Sequence, residues 1–90
     1  MEDKKYFVYI ILTVNNKLYC GYTDDVQKRY KLHEQGKGAK FTRANKPLKL
    51  VYKEKFTSKQ LAQKEEYRIK HLSRKEKEDL IKKYSNNKLI

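Results

Sequence analysis

The sequence has 90 residues, which is enough for one small domain with a modest core. Its 38% hydrophobic content argues against disorder, and its single cysteine, Cys20, excludes an internal disulfide and a multi-cysteine zinc site. The apolar run over residues 6 to 12 is far shorter than the roughly 20 residues that span a bilayer. We therefore expect a single cytoplasmic domain over residues 1 to 90.

The charge is strongly positive, with 23 Lys and Arg against 11 Asp and Glu and a net charge of +12. Such a surface attracts polyanions, nucleic acid first and anionic membrane second, although a lysine-rich surface can also serve solubility alone. Residues 37 to 59 contain eight basic residues and one acid, Glu54. A basic block of this kind favours a phosphate-binding face, so we expect a nucleic-acid partner and no membrane.

The first half of the chain predicts a β-hairpin followed by a helix. Residues 6 to 12 are β-branched and aromatic on both faces, which is typical of a central strand. Asn15 and Asn16 supply a turn, and residues 17 to 22 return as a second strand, in which Gly21 predicts a close approach or a bulge.

A helix is predicted next, with Asp24 as its N-cap and Gln27 at the third helical position. It extends to about residue 35, before a Gly-Lys-Gly loop. One or two short helical turns are expected within residues 39 to 45. Pro47 ends them, and residues 48 to 56 predict a third strand.

Two further helices complete the chain. Thr57-Ser58 caps the first, whose apolar stripe is Leu61, Ala62, Ile69 and Leu72. Ser73 and Glu76 form a capping-box pattern for the second, which ends in a tail expected to fray over residues 85 to 90. The order β-β-α-(α)-β-α-α predicts an α+β fold: a three-stranded, mostly antiparallel sheet flanked by helices.

Arg29 and His33 are one helical turn apart, so they project from one face of their helix. Val26 and Tyr30 share that face and should point inward. Arg29 could simply lay its stem over the core, with His33 at the rim. Alternatively, both side chains face the strand pair and form part of a site.

Glu65 and Glu66 occupy the middle of the next helix, close to its apolar stripe. A carboxylate near a buried stripe is costly unless a cation satisfies it. An arginine or a hard divalent metal could do so, and Lys70 could satisfy one of the two glutamates on the surface.

Tyr9 and Tyr19 are candidates whose placement depends on the hairpin register. A two-residue loop would put them on opposite faces of the sheet, whereas a three-residue loop or a bulge near Gly21 would bring them together. With an arginine, an imidazole and a carboxylate, two tyrosines would suit phosphodiester cleavage: the cations stabilise charge on the phosphate, and the hydroxyls and imidazole orient and deprotonate water.

The sequence resembles the GIY-YIG nuclease family over about residues 5 to 84. The resemblance rests on Phe7-Val8-Tyr9, Tyr19-Cys20-Gly21 ten residues later, Thr23, Arg29, His33 and the helical pattern Ala62-x-x-x-Glu66-x-x-Ile69-Lys70. Phe7 and Val8 depart from the first two letters of the name motif, and Cys20 replaces its central isoleucine; these are structural strand positions. The likeness is to small stand-alone bacterial members.

The resemblance implies the function of each site residue. Tyr9 would be the general base or orient water, Tyr19 would assist at the phosphate, and Arg29 would bind the scissile phosphate. His33 would support Tyr9 or the phosphate by a hydrogen bond. Glu66 rather than Glu65 would hold one Mg²⁺ (or Mn²⁺).

The resulting expectation is a metal-dependent endonuclease acting on DNA, with weak or structure-dependent cleavage. Lys37, Lys40 and Arg43 would contribute non-specific phosphate contacts. The sequence shows no separate targeting domain, which leaves room for a protein partner that supplies targeting. The alternatives are a DNA- or RNA-binding module that no longer cleaves and an RNA-associated structural protein.

Overall fold

The computed structural model describes residues 5 to 88, in which the predicted order of strands and helices is confirmed. The elements are β1 (Tyr6–Thr13), β2 (Leu18–Thr23), α1 (Val26–Glu34), α2 (Lys40–Ala44), β3 (Pro47–Phe56), α3 (Lys59–Lys70) and α4 (Arg74–Lys88). None of the helices in this range is long and apolar enough to cross a membrane.

The three strands form one antiparallel sheet in the order β2-β1-β3. β1 is central, as its composition predicted, and its middle residues Val8, Tyr9, Ile10 and Ile11 are buried. The hairpin closes where the backbone N–H of Thr13 donates to the Lys17 carbonyl at 2.8 Å. Three residues lie between them, and Asn16 takes the left-handed conformation (φ 63°) that asparagine tolerates.

Helices cover both faces of this sheet. α3 and α4 pack on one face, around a core of Val8, Ile10, Cys20, Tyr52, Ala62 and Ile69. α1 and α2 lie over the other face, where His33 contacts both Tyr9 of the sheet and Thr42 of α2. Because successive strand residues point to opposite faces, β1 contributes side chains to both layers.

α1 begins one residue later than predicted, because Asp25 and not Asp24 is its N-cap. The Asp25 carboxylate accepts a 3.1 Å hydrogen bond from the backbone N–H of Lys28. The backbone N–H of Asp25 donates to Thr23 Oγ1 at 3.2 Å, which fixes the turn and leaves Asp24 exposed. Beyond the helix, Gly36 has a φ of 77°, a conformation suited to glycine at a helix C-terminus.

Within the predicted Thr57-Ser58 cap, Ser58 is the N-cap of α3, since its hydroxyl accepts a 3.1 Å hydrogen bond from the N–H of Leu61. Ala62 and Ile69 are fully buried, and Leu72 packs against the core. Leu61 is 50% exposed, so its assignment to the buried stripe was wrong. One residue along a helix turns the side chain by about 100°, which carries Leu61 away from the face of Ala62.

α4 begins with the predicted reciprocal capping box: the N–H of Glu76 donates to Ser73 Oγ at 3.1 Å, and the N–H of Ser73 donates to Glu76 Oε1 at 2.9 Å. α4 continues to Lys88, through the first part of the tail in which fraying was expected. Tyr84 packs edge-on against Tyr52 with ring centroids 5.3 Å apart, which anchors this end of the helix. Residues 89 and 90 lie outside the described residues.

Candidate active site

Tyr9 and Tyr19 lie on the same face of the sheet. In the β1–β2 ladder Tyr19 pairs with Ile11, and directly paired residues share a face. Ile11 is two residues from Tyr9 on β1 and so points to the same face as Tyr9, which itself pairs with Gly21. The two tyrosine rings have their centroids 6.4 Å apart. The three-residue loop produces this register, and the β1–β2 pairing is continuous through Gly21 without a bulge.

Gly21 provides the space in which the Tyr9 ring lies. A Cβ atom at position 21 would be 2.6 Å from the Tyr9 hydroxyl oxygen and 2.8 Å from Cζ, closer than real contacts allow. The close approach predicted at this glycine is therefore an approach of a side chain from the neighbouring strand. Any larger residue would displace the Tyr9 hydroxyl.

His33 is completely buried beneath the two tyrosines. Its Nε2 lies 2.8 Å from the Tyr9 hydroxyl, and its Nδ1 lies 2.6 Å from Thr42 Oγ1. The Tyr19 ring packs edge-on against the imidazole, with 5.1 Å between centroids. Of the two partners considered for His33, the structure therefore places it against Tyr9 and away from any phosphate in solvent.

Burial controls the protonation of this cluster. It lowers the pKa of His33, and the nearby positive charge of Arg29 lowers it further, so the imidazole is neutral at pH 7. Burial raises the pKa of Tyr9 well above its ordinary value, and the proximity of Tyr19 adds to this. Arg29 opposes that rise by its charge and by hydrogen bonding, yet Tyr9 remains a protonated phenol.

Arg29 is half-buried on α1, one turn before His33. Its charge lowers the pKa of Tyr9, Tyr19 and His33, and hydrogen bonding to Tyr9 lowers the Tyr9 pKa further, so the guanidinium lies on the Tyr9 side of α1. Among the described residues it has no carboxylate within salt-bridge distance, the ion pairs there being Arg68–Glu65, Lys70–Glu66 and Arg74–Glu78. A half-buried arginine without an acidic partner is suited to binding an anionic ligand.

The two glutamates of α3 have different partners. Glu65 accepts two hydrogen bonds from Arg68, at 2.8 and 2.7 Å, in the bidentate geometry of an arginine–carboxylate pair. Glu66 makes a looser contact of 3.4 Å with Lys70. Glu65 is thus satisfied within its own helix, and Glu66 is the carboxylate more readily available to another cation.

Glu66 lies in the α3 layer, so it approaches the site from beside the edge strand β2. Burial raises the pKa of Tyr19; Lys70 opposes this rise, and the Glu66 carboxylate adds to it. Burial also raises the pKa of the β2 residue Cys20 to about 12, with Glu66 adding to that rise. The structure therefore brings Tyr9, Tyr19, Arg29 and His33 into one cluster, and Glu66 is linked to it only by the effect of its charge on Tyr19.

A divalent ion here would depend on Glu66 alone among protein carboxylates. Residues 5 to 88 contain no group of three or more His, Cys, Asp or Glu side chains arranged to hold a metal. One half-buried carboxylate nevertheless fits Mg²⁺, which commonly keeps several waters and binds through one or two carboxylates and substrate phosphates.

The basic residues Lys37, Lys40 and Arg43 are exposed on the loop before α2 and on α2 itself. α2 borders the tyrosine cluster, because Phe41 stacks on Tyr19 with ring centroids 5.8 Å apart. These cations are therefore on the site's side of the sheet.

The sequence interpretation missed Thr42 and Gly38, which surround the His33 ring. A Cβ at Gly38 would lie 2.3 Å from His33 Nδ1, so the backbone of the loop presses directly on the imidazole. The sequence signal for this contact is the second glycine of the Gly36-Lys37-Gly38 loop, since a helix end requires only the first.

Several bacterial proteins resemble this chain over nearly its whole length. A UPF0213 protein of Bacillus velezensis is 48% identical over 88 residues, which covers 98% of this chain and 89% of that protein. UPF0213 protein YazA of Bacillus subtilis is 42% identical with the same coverage. The solution NMR structure of a UPF0213 protein from Bacillus halodurans is 46% identical and superposes with a TM-score of 0.57, covering 87% of this chain and 83% of that one.

The model of the GIY-YIG catalytic domain matches residues 5 to 87, almost all of the chain that the structure describes. That range includes both strands of the hairpin, the Arg29–His33 helix and the Glu66 helix. The family resemblance noted in the sequence is thereby confirmed, and the chain belongs to the GIY-YIG catalytic domain family.

Proposed function

We propose that the protein is a metal-dependent nuclease that hydrolyses phosphodiester bonds in DNA. The observation that best supports this is the buried 2.8 Å contact between the Tyr9 hydroxyl and His33 Nε2, beside an arginine with no acidic partner among the described residues. A packing role explains a buried tyrosine, but it does not require a neutral imidazole at the phenol or an uncompensated cation beside both.

Arg29 binds the scissile phosphate and stabilises the charge that develops on it. The Tyr9 hydroxyl is almost inaccessible to water in the free protein, so substrate binding has to admit one water beside it. Tyr9 then orients this attacking water and receives its proton. Tyr19 hydrogen-bonds the phosphate from the neighbouring strand. His33 acts through Tyr9, because it is fully buried and does not reach the substrate.

The raised pKa of Tyr9 determines how it can act as a base. A stable phenolate is disfavoured at neutral pH in this buried position. Tyr9 can still accept a proton from water if it releases its own proton to His33 Nε2 in the same step. The hydrogen bond between them provides that path.

Glu66 would hold the Mg²⁺ (or Mn²⁺) ion, which when bound neutralises charge on the phosphate and the leaving oxygen. The 3.4 Å pairing of Glu66 with Lys70 has to open for this, and it is loose enough to do so. Lys37, Lys40 and Arg43 extend the phosphate-binding surface. A protein partner that supplies targeting would add the specificity that these non-specific contacts lack.

One observation favours a second candidate, a nucleic-acid-binding module that no longer cleaves. Lys70 occupies the contact to Glu66 that a metal would use, and the described residues offer no second carboxylate to compete for the ion. Such a module would keep the Arg29 phosphate contact and lose the reaction.

The test is cleavage of single-stranded, duplex and branched DNA by the purified protein with Mg²⁺ or EDTA. We expect metal-dependent cleavage that Arg29→Ala and Glu66→Ala abolish. Glu65→Ala is the matched control, since it removes the neighbouring carboxylate that Arg68 already satisfies, and it should cleave like the wild type. Binding without cleavage would establish the second candidate, and equal activity of Glu66→Ala would refute the metal role.

A further inference from the structure

A chain of hydrogen-bonded groups continues from Tyr9 through His33 to α2. The Tyr9 hydroxyl is 2.8 Å from His33 Nε2, His33 Nδ1 is 2.6 Å from Thr42 Oγ1, and Thr42 Oγ1 is 3.3 Å from the Ala39 carbonyl. The side chains of Tyr9, His33 and Thr42 are at most 1% exposed. Because water has almost no access, the protons in this chain must be shared among these groups.

Counting the donors assigns each proton. The Tyr9 phenol has one proton to donate, and Arg29 beside it has donors only. Within the described residues His33 Nε2 is the acceptor within hydrogen-bond distance, so Nε2 must be unprotonated. The proton of the neutral imidazole is then on Nδ1, which donates to Thr42 Oγ1, while the threonine hydroxyl donates to the Ala39 carbonyl.

The opposite arrangement leaves a donor unpaired. If Thr42 donated to Nδ1, the imidazole proton would be on Nε2 and would point at the Tyr9 hydroxyl. The phenol proton would then have no acceptor in a position that is 1% exposed, and a buried donor without a partner is strongly unfavourable.

We propose that Thr42 is a positioning residue that keeps the His33 proton on Nδ1 and so leaves Nε2 free to accept the proton of Tyr9. The expected effect of Thr42 on cleavage rests on the proposed nuclease function. The assignment of the imidazole proton to Nδ1 is independent of that function. Thr42 is buried on the five-residue helix α2, and the close packing of Gly38 on the imidazole fixes the ring against it. The second layer of the site is therefore built by α2 and the loop before it.

The proposed step is balanced in protons and bonds. As the water oxygen forms its bond to phosphorus, one water proton moves to the Tyr9 oxygen and the phenol proton moves to His33 Nε2. The phosphorus–oxygen bond to the leaving group breaks, and its electron pair stays with that oxygen. His33 becomes an imidazolium whose Nδ1–H still donates to Thr42, and after product leaves it returns the extra proton through Tyr9 to water. The leaving oxygen takes up a proton from solvent.

The experiment compares the wild type with Thr42→Val and Thr42→Ser by NMR of ¹⁵N-labelled imidazole and by single-turnover cleavage. Valine has nearly the same shape but accepts no hydrogen bond, whereas serine keeps the hydroxyl. We expect the Nδ1–H tautomer in the wild type and Thr42→Ser, and the Nε2–H tautomer in Thr42→Val. The cleavage rate of Thr42→Val should fall at least about tenfold, with KM unchanged and recovery in Thr42→Ser.

The NMR spectrum separates this inference from the nuclease proposal. An Nε2–H tautomer in wild-type His33 would overturn the inference, as would an Nδ1–H tautomer and full activity in Thr42→Val. If Thr42→Val does not fold, the wild-type spectrum alone decides the tautomer. If the wild type has the Nδ1–H tautomer but cleaves no DNA, the nuclease proposal is refuted and the assignment of the proton to Nδ1 still holds.

Discussion

At the residue scale, the site depends on small residues as much as on reactive ones. Arg29, His33 and the glutamate pair of α3 could be chosen from the sequence because charged groups are unusual near a predicted core. Tyr9 and Tyr19 depended on the hairpin register, and the family resemblance selected Glu66 over Glu65. Thr42 could not be chosen, because it lies nine positions after His33, beyond a loop and on a different helix. Only the packing of α2 against α1 brings the threonine hydroxyl to the imidazole.

The buried imidazole predicts a pH-dependent stability. His33 is surrounded by Tyr9, Tyr19 and Arg29, and burial depresses its pKa in the folded protein below the ordinary value of 6.5. The unfolded chain therefore binds more protons, so the stabilisation is complete above about pH 6.5 and is lost as the pH falls through the folded pKa. Urea unfolding should show a free energy that decreases by up to about 1.4 kcal/mol per pH unit in that window.

The second histidine gives the control for this prediction. His71 is exposed on the C-cap of α3, so His71→Gln should keep the pH dependence of the wild type. A stability that is flat between about pH 7 and pH 5, or a pH dependence that disappears in His71→Gln, would contradict the role of His33.

At the element scale, sequence signals located the helices well and their first residues less well. Thr23, Asp24 and Asp25 are all competent N-caps, so composition does not decide among them. The choice is made by Thr23 Oγ1, which accepts the backbone N–H of Asp25 and sets the turn. Leu61 also shows what the sequence does not decide. It is an apolar helical residue, but the side of α3 that faces the sheet determines which apolar residues are buried.

The capping geometry of α1 gives a paired prediction. Asp25→Ala should reduce the free energy of unfolding by about 1 kcal/mol, because Lys28 N–H loses its acceptor. Asp24→Ala removes the same charge one residue earlier without removing a cap, and it should change stability by less than about 0.5 kcal/mol. Urea unfolding of both variants measures the difference, and equal losses would show that Asp25 is not the effective cap.

At the scale of the whole molecule, the sheet divides the site between two layers. The sequence predicted that five residues would converge, but it did not indicate that Glu66 would come from the opposite face. Four residues meet on the α1/α2 side, whereas Glu66 lies on α3 and acts on Tyr19 through its charge. The edge position of β2 makes this possible, since no further strand separates the two layers there among the described residues.

The net charge of +12 predicts salt-sensitive binding of nucleic acid, and the distribution of charge predicts which basic residues contribute to that binding. Replacing Lys37, Lys40 and Arg43 together by Gln should reduce the slope of log K against log salt by roughly 2–3, because each duplex phosphate that a cation neutralises contributes about 0.9 to that slope. Lys75, Lys82 and Lys83 are exposed on α4, behind the sheet, and the same replacements there are the control. Equal effects of the two triple variants would mean that binding follows total charge alone.

The most direct test of the nuclease account is the single-turnover cleavage rate of Tyr9→Phe. This change removes only the hydroxyl that contacts His33, so cleavage should fall by about 10²–10⁴-fold while DNA binding is retained. Tyr22→Phe is the matched control, since Tyr22 lies on the other face of β2 and its hydroxyl contacts Gln63. Cleavage by Tyr9→Phe at the wild-type rate would contradict the account.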